Sequence, residues 1–360
     1  MMGLGECDSP LHVLASLNCP CSSLLLLPSA PANCSCQLPN ELYRLYLVFS
    51  RFKTLDMRIV FMGTPDFAVA SLKALVESKH EVVAVITATD KVAGRGNKLR
   101  PSPVKVYAES VDLKVLQPKN LKNEVFLEEL AALKADLQVV VAFRMLPTLV
   151  FEMPEHGCIN LHGSLLPQYR GAAPINWAVI NGEKETGVTS FFIQQEIDTG
   201  AMIYQERLTI GPNMTAGDVH DGLMAIGAKL VVKTVDAIEA GDHPRDEQPT
   251  AAIMKKAPKI YKETCAINWD QPAEDVRNFI RGLSPYPAAY TFFDEKRCKV
   301  FKSSIGPACT EIKPGTACTD NKTFIRVATQ DFFLEIEEVQ LAGKKRMKVE
   351  DLLRGINFNL

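Results

Sequence analysis

Residues 57–78 read MRIVFMGTPDFAVASLKALVES, and this stretch decides the class of fold. The apolar run at its start predicts a buried β-strand. Thr64, Pro65 and Asp66 then supply a helix N-cap, a proline at the first helical position and an acid near the helix start. The following apolar residues recur every three to four positions, which predicts an amphipathic helix. A strand that turns directly into a helix is the first half of an α/β unit.

The same alternation of strand and helix continues along the chain. A further helix is expected to start near Ala173. The further predicted strands are EVVAVIT, LKVLQP, LQVVVAF, CINLH and GVTSFFIQQ. Such continuous apolar runs predict a Rossmann-like parallel sheet that is covered by helices on both faces. Sheets of this kind bind ligands beyond the carboxyl ends of their strands.

Several function classes are poorly supported by the sequence. The first strand–helix turn reads GTPDFA rather than GxGxxG, which argues against NAD or FAD. Neither a GxSxG elbow nor a P-loop is present, which argues against serine hydrolysis and nucleotide hydrolysis. The ten cysteines show no zinc-ligand spacing, so we expect no metal and a reduced, cytoplasmic protein. No apolar run reaches the length of about 18 residues that spans a bilayer, so we expect no membrane association.

Residues 1–56 differ in composition from the rest of the chain. They contain no Lys or Arg before Arg44. A signal peptide begins with charged residues and a transit peptide is rich in Arg, so neither is indicated. Three interpretations stay open: translation from a misassigned start, a disordered natural extension, or a functional segment. We expect the fold to begin at Met57.

The segment INLHGSLLPQYRGAAPINWAV, residues 159–179, carries the candidate chemistry. Asn160 and His162 lie two positions apart on a strand end, so their side chains can share one face. The strand runs into a Gly-Ser turn, and a later loop, EIDTG, brings Asp198 within possible reach of the imidazole. A polar pair of this kind is more often structural than catalytic, and the residues by themselves leave both interpretations open.

The combination of NLHGSLLPQYRGAAP with a later DTG resembles the folate-dependent formyltransferases. The SLLP, RGAAP and ETGVT stretches resemble the methionyl-tRNA branch of that family, and the likeness extends from Met57 to Leu360. The resemblance implies 10-formyltetrahydrofolate as co-substrate, without a permanently bound cofactor. It implies the α-amino group of an initiator methionyl-tRNA as acceptor, in the start of protein synthesis. It also implies that Asn160, His162 and Asp198 are the catalytic residues.

The same resemblance predicts which residues contact the folate. It assigns this role to the SLLP stretch, namely Ser164, Leu165, Leu166 and Pro167. A second predicted contact is the end of the fourth strand, with Phe143, Arg144 and Met145. There the chain departs from the family, in which a Tyr-Gly pair is more usual at Phe143-Arg144.

A basic, glycine-containing insertion at residues 87–105 is the first candidate tRNA contact. It contains Lys91, Arg95, Lys98 and Arg100, and its glycines argue against regular structure. One interpretation is a solvated surface loop. The other, which the family resemblance favours, is a mobile loop that orders on the acceptor stem with Arg95 nearest the RNA.

The C-terminal third is mildly basic, with 18 Lys and Arg against 14 Asp and Glu from Lys255 to Leu360. Short alternating strands after SPYPAAY predict a small β-barrel. An OB-like barrel fits this pattern, and the resemblance implies that it binds tRNA. Its expected phosphate contacts are Lys255, Lys256, Lys259, Lys262 and the run GKKRMK at residues 343–348.

We therefore predict an extension at 1–56, a formyltransferase domain at 57–250, a linker at 251–262 and a barrel at 263–360, in a monomer. The alternatives are formyl transfer to a sugar amine or a purine precursor, and a non-catalytic RNA-binding protein on this fold.

Overall fold

The structure, a computed structural model, describes residues 56–93, 98–249 and 254–359. The predicted extension lies outside the described residues apart from Asp56. Arg95 and the side chain of Lys98 also lie outside them.

A seven-stranded sheet forms the first half of the described chain. Its strands are β1 Arg58–Gly63, β2 Glu81–Ile86, β5 Val115–Leu116, β6 Leu137–Val141, β7 Cys158–His162, β9 Glu185–Phe192 and β10 Met202–Thr209. Their order in the sheet is β10-β9-β7-β6-β1-β2-β5. The strands from β5 to β7 are parallel, which confirms the Rossmann-like prediction. Two strands at one edge differ, because β9 is antiparallel to β7 and β10 is antiparallel to β9.

Helices cover both faces of this sheet. They are α1 Asp66–Val76, α2 Pro103–Ser110, α3 Glu124–Ala132, α4 Thr148–Phe151, α5 Pro174–Ile180 and α6 Ala216–Glu239. Alternate residues of β1 point to opposite faces, so Phe61 joins one apolar cluster with Leu72 and Leu223 while Met62 joins another with Leu130. The sheet is therefore buried on both sides, as its continuous apolar strands predict.

The start of α1 differs in detail from the prediction. Pro65 occupies the N-cap position and Asp66 is the first helical residue, with no side-chain cap hydrogen bond. The longest helix, α6, was not predicted; it begins with a capping box in which Thr215 and Asp218 satisfy each other's backbone N–H groups.

The C-terminal part is a curled antiparallel sheet, a half-barrel, which agrees with the predicted small barrel. Its elements are a 3₁₀ turn Glu263–Cys265, α7 Ala273–Gly282, β12 Ala289–Phe293, β13 Lys296–Ala308, β14 Ala317–Thr319, β15 Ile325–Ala328, β16 Phe332–Leu341, β17 Met347–Lys348 and α8 Val349–Leu353. The strand order is β12-β13-β16-β15-β14, and β17 pairs with β16. Register shifts along the pairing of β13 with β16 mark bulges, which bend a strand.

Two short strand pairings and one helix contact lie between the larger elements. The insertion contains a hairpin of β3 Lys91–Ala93 and β4 Lys98–Arg100. The expectation that its glycines exclude regular structure is thus wrong for its two arms, because the glycines lie between them. In the linker, β11 Lys256–Ala257 pairs in parallel with β8 Arg170–Gly171. The two halves meet where Asn176 Nδ2 on α5 donates to the Gly282 carbonyl of α7 at 2.8 Å.

Within the described ranges, no helix is long and apolar enough to cross a membrane.

Candidate active site

A cavity of about 720 Å³ opens at the carboxyl ends of β6 and β7. This is the place at which a parallel α/β sheet is expected to bind its ligand. The lining residues come from four segments: residues 142–146 after β6, 160–163 at the end of β7, 171–176 at the start of α5, and 193–198 after β9. Phe67 of α1 and His220 of α6 complete the wall. The cavity contains all three predicted catalytic residues, Asn160, His162 and Asp198.

Asn160 and His162 reach the cavity together because they are two positions apart on β7. Asn160 is half-buried, and its side-chain amide makes no hydrogen bond with any residue of the described ranges. Polar groups in protein interiors are usually paired, so an unpaired amide on a cavity wall is suited to a ligand.

The His162 ring is fixed by its backbone surroundings. The side chain is buried, and Nε2 lies 2.9 Å from the carbonyl oxygen of Tyr169. A carbonyl oxygen can only accept, so Nε2 carries a proton and donates it there. Nδ1 is the nitrogen that remains for chemistry, and it lies 3.8 Å from Asp198 Oδ2. That separation is too long for a hydrogen bond but close enough for a charge interaction.

Asp198 is held by the loop that carries β8. Its Oδ2 accepts a hydrogen bond from the Gly171 backbone N–H at 2.9 Å, and only 12% of the side chain is exposed. Asp198 adopts a left-handed conformation with φ 56°, and so do Tyr169 and Ala142 at the same site. Such backbone conformations cost about 1–3 kcal/mol each and cluster at functional sites.

Tyr169 links the site to its supporting residues. Its hydroxyl donates to Glu183 Oε1 at 2.5 Å and accepts from Asn181 Nδ2 at 3.1 Å. Lys255 Nζ donates to the same Glu183 oxygen at 2.5 Å. Burial opposes ionisation of Glu183, but the hydrogen bonds from Lys255 and Tyr169 outweigh it, so its pKa lies below the usual value. The carbonyl that accepts the hydrogen bond from His162 therefore belongs to a residue whose ring is held in place.

The four predicted folate contacts of the SLLP stretch lie away from the cavity wall. Ser164 and Leu166 are buried; Ser164 Oγ donates to the Gln168 carbonyl and the Leu166 N–H donates to Thr189 Oγ1. None of the four is among the described residues that line the cavity. They form part of the turn after β7, and their contact with folate stays a prediction of the resemblance. The residues in question are Ser164, Leu165, Leu166 and Pro167.

Phe143, Arg144 and Met145, the other predicted folate contacts, do line the cavity. The Arg144 guanidinium is turned to the neighbouring loop, where it donates to the carbonyls of Pro118 and Lys119. The Met145 side chain is 71% exposed at the cavity mouth. The departure from the family pattern at Phe143-Arg144 therefore adds a side chain that is already engaged by protein.

The predicted tRNA contacts fall in two places. Lys91 is exposed on the β3–β4 hairpin, with Lys98 opposite Ala93 on β4. Lys256, Lys259 and Lys262 are exposed along the linker, where Lys256 pairs with the active-site loop instead of belonging to the half-barrel. Lys255 and Lys256 lie in the predicted linker, and the roles of these lysines as phosphate contacts stay predictions.

Two aromatic rings are among the cavity residues that were not predicted from the sequence. His220 and Phe67 face each other with ring centroids 5.3 Å apart, and both line the cavity. The position of His220 inside a helix with apolar spacing could have drawn attention to it. No local pattern marks Phe67, because it resembles an ordinary core residue of α1.

One group of possible metal ligands occurs among the described residues, away from this cavity: His80, Asp236 and Glu239. The Lys79 ammonium already lies 2.5 Å from Glu239 Oε2 and 3.3 Å from Asp236 Oδ1. Its positive charge occupies the place that a cation would take.

The geometry and the comparisons together define the class of protein. Residues 57–235 match the family model described as formyl transferase, and residues 259–357 match the model for the formyl transferase C-terminal domain. Among solved structures, an N-formyltransferase from Helicobacter canadensis, solved with folinic acid and dTDP-3-aminofucose, shares the fold at a TM-score of 0.59. It is 22% identical, and the match covers 78% of this chain and 98% of that chain. The protein is thus a formyltransferase by fold and domain order.

Sequence relatives identify the family more narrowly. A methionyl-tRNA formyltransferase of Parabacteroides distasonis is 56% identical over 310 residues, covering 83% of this chain and 96% of the relative. One from Bacteroides fragilis is 53% identical over 311 residues, covering 84% of this chain and 96% of the relative. The chain belongs to the methionyl-tRNA formyltransferase family.

Proposed function

We propose that this chain transfers a formyl group from 10-formyltetrahydrofolate to the α-amino group of an initiator methionyl-tRNA. The product would be the N-formylmethionyl-tRNA that starts protein synthesis. The family membership supports the reaction class, and the cavity at the carboxyl edge of the sheet supports the location of the chemistry.

The observation that carries the proposal is that Asn160 and His162 line the same cavity, and that the Asn160 amide makes no hydrogen bond with any described residue. When the amine nitrogen attacks the formyl carbon, the carbonyl electrons move to oxygen and an oxyanion develops. Asn160 Nδ2 donates to that oxyanion, and the protonated form of His162 presents a second N–H from Nδ1. A positioned donor of this kind is worth about 3 kcal/mol of transition-state stabilisation.

Asp198 is proposed to handle the proton. Its Oδ2 accepts from Gly171 N–H and lies 3.8 Å from His162 Nδ1. The proton that the attacking amine releases passes to Asp198. Asp198 then gives this proton to the folate nitrogen, which leaves as its bond to the formyl carbon breaks. No covalent enzyme intermediate is required, since the amine is itself a competent nucleophile.

The folate is proposed to lie between the segment after β6 and the segment after β9. Phe143 and Met145 come from the first segment and Ile197 from the second, and Met145 and Ile197 are exposed apolar side chains at the cavity mouth. Such an apolar slot with few polar groups suits a flat heteroaromatic ring.

The tRNA is proposed to contact both basic regions. The hairpin that carries Lys91 and the linker lysines Lys256, Lys259 and Lys262 are exposed and carry side-chain ammonium groups. Phosphate contacts of this kind give binding that weakens steeply with salt.

The proposal also includes the domain bounds 57–250, 251–262 and 263–360, a cytoplasmic location and a monomeric state. Free cysteines in the described chain are consistent with a reducing compartment.

The decisive test compares acceptors and variants. With 10-formyltetrahydrofolate as donor, the enzyme should formylate charged initiator tRNA far faster than free methionine or an amino sugar. Formylation of the amino sugar but not of the tRNA would refute the acceptor assignment. His162→Ala and Asp198→Ala should abolish transfer while tRNA affinity stays within about threefold. A collapse of tRNA affinity in these variants would instead make both residues structural.

A further inference from the structure

Two loops hold the proposed catalytic pair, and they approach each other at Gln248. One loop, residues 169–173, provides the Tyr169 carbonyl for His162 and the Gly171 N–H for Asp198. The other is the loop after β9 that contains Asp198 itself. Gln248 comes fifty positions later, just before the linker, and is itself half-buried.

We propose that Gln248 is a positioning residue of the transfer reaction, whose side-chain amide joins these two loops and so fixes Asp198 against His162. The inference rests on the proposed role of Asp198. Gln248 acts through Asp198 and is not among the residues that line the cavity.

Both the nitrogen and the oxygen of the Gln248 side-chain amide are fully hydrogen-bonded. Nε2 donates to the Asp198 carbonyl at 2.8 Å and to the Gly200 carbonyl at 2.9 Å. Oε1 accepts from Arg170 Nε at 3.0 Å and from Arg170 Nη2 at 2.5 Å. An amide has two N–H donors and two acceptor lone pairs, so all four positions are used. No other side chain of this size provides two donors and a double acceptor in this arrangement.

These hydrogen bonds hold the backbone next to the reacting groups, so their loss is expected to lower the transfer rate. Asp198 has a left-handed backbone with φ 56°, and its carbonyl is one of the two that Gln248 holds. Arg170 directly precedes Gly171, whose N–H binds the Asp198 carboxylate. Gln248 therefore restrains the Asp198 backbone on one side and the partner of its carboxylate on the other. A displacement of about 1 Å at a reacting group can lower the rate about 100-fold.

Two substitutions separate hydrogen bonding from packing. Gln248→Met keeps nearly the same length without strong hydrogen bonds. Gln248→Glu keeps the acceptor for Arg170 but turns a carboxylate oxygen toward two carbonyl oxygens. Gln330→Glu is the control, because Gln330 Nε2 also makes two hydrogen bonds, to the Asp270 carbonyl and carboxylate, but in the half-barrel.

The measurement is single-turnover formyl transfer to methionyl-tRNA by the full chain. Both Gln248 variants should lower the rate at saturation by about 10- to 100-fold, while the KM for tRNA changes by less than about threefold. The control should stay within about twofold of the parent. A rate for Gln248→Glu within twofold of the parent would overturn the proposal.

A double-variant cycle distinguishes this proposal from a structural role and from the proposed role of Asp198. In an Asp198→Asn background, Gln248→Glu should change the rate by less than about threefold, because its effect passes through Asp198. If Gln248→Glu lowers the rate in the Asp198→Asn background by the same factor as in the parent, then Gln248 acts independently of Asp198 and the proposal is overturned. If Asp198→Asn alone keeps the parent rate, the role of Asp198 fails and the inference fails with it. If Asp198→Asn is slow but Gln248→Glu is fast, only the inference fails.

Discussion

The substitution Gly171→Ala tests whether the loop between β8 and α5 sets the position of Asp198. Gly171 has φ 126°, a conformation that side chains with a Cβ rarely adopt. A Cβ at this position would lie 2.5 Å from the Ala257 carbonyl oxygen, whereas ordinary contact begins at 3.4 Å. The loop and β11 must therefore separate by about 0.9 Å, or the Gly171 backbone must rotate.

Either movement disturbs the hydrogen bond from Gly171 N–H to Asp198 Oδ2, which is 2.9 Å long. A hydrogen bond to a charged group contributes about 1.5–3 kcal/mol. Because this bond is already present in the free enzyme, its loss lowers the rate only by letting Asp198 move. A displacement of nearly 1 Å at a reacting group lowers the rate by about 100-fold.

The assay is the saturated rate of formyl transfer, measured at a temperature where each variant retains the near-UV circular dichroism of the parent. Gly241→Ala is the matched control, because Gly241 also has a positive φ, 68°, but no atom lies within 4 Å of the added Cβ. The control should lose about 1–2 kcal/mol of stability and keep its rate. A Gly171→Ala enzyme with the parent rate would refute the argument that this loop positions Asp198.

Three further expectations concern the surroundings of the site. Burial raises the pKa of the Cys158 thiol well above its usual range, so this thiol is not expected to react. Cys158→Ala should keep the transfer rate and lose about 1–2 kcal/mol of stability, which urea denaturation can measure. A rate loss above tenfold under conditions where the variant is fully folded would show that Cys158 has a role in the reaction. The pKa of Glu183 is lowered from 4.5, so its ionised form stabilises the fold at neutral pH, and this stabilisation disappears as the pH falls through the lowered pKa. The difference in urea midpoint between the parent and Glu183→Gln should therefore shrink from pH 7 toward acid. A difference that stays constant with pH would contradict this. Lys259→Ala should weaken tRNA binding and reduce the slope of log affinity against log salt by about 1, which filter binding at several salt concentrations can check; an unchanged slope would exclude a phosphate contact.

Much of the fold follows from local sequence patterns. The apolar runs predicted the parallel strands, because a strand that is buried on both faces has few alternatives. The helix α6 was missed although its sequence has helical spacing and the Thr215–Asp218 capping box. The antiparallel pairing of β10 with β9 also had a signal, since the nine residues between them contain no crossover helix.

Other features depend on contacts that a single sequence does not record. The antiparallel direction of β9 against β7 could not be predicted, because the helix α5 between them usually indicates a parallel crossover. Asn160 and His162 were predictable as neighbours on one strand, and the loop position of Asp198 indicated an approach to the imidazole. The catalytic role of all three came from the family resemblance. The Tyr169 carbonyl, the Gly171 N–H and the Gln248 amide act through backbone groups and distant segments, which leave no motif.

Through the parallel pair of β8 and β11, the linker supports the active-site loop as well as connecting the two domains. Tyr169 N–H donates to the Lys255 carbonyl at 2.7 Å, and the Ala172 and Ala173 N–H groups donate to the Ala257 carbonyl at 2.8 and 3.2 Å. Each contributes about 0.5–1.5 kcal/mol, so together they are comparable with the cost of about 1–3 kcal/mol for holding Tyr169 in its left-handed conformation. The loop that orients His162 is therefore stabilised by the segment that leads to the half-barrel. Because the same segment carries the exposed Lys256 and Lys259, tRNA held by these lysines would bind against the strand that supports the catalytic loop.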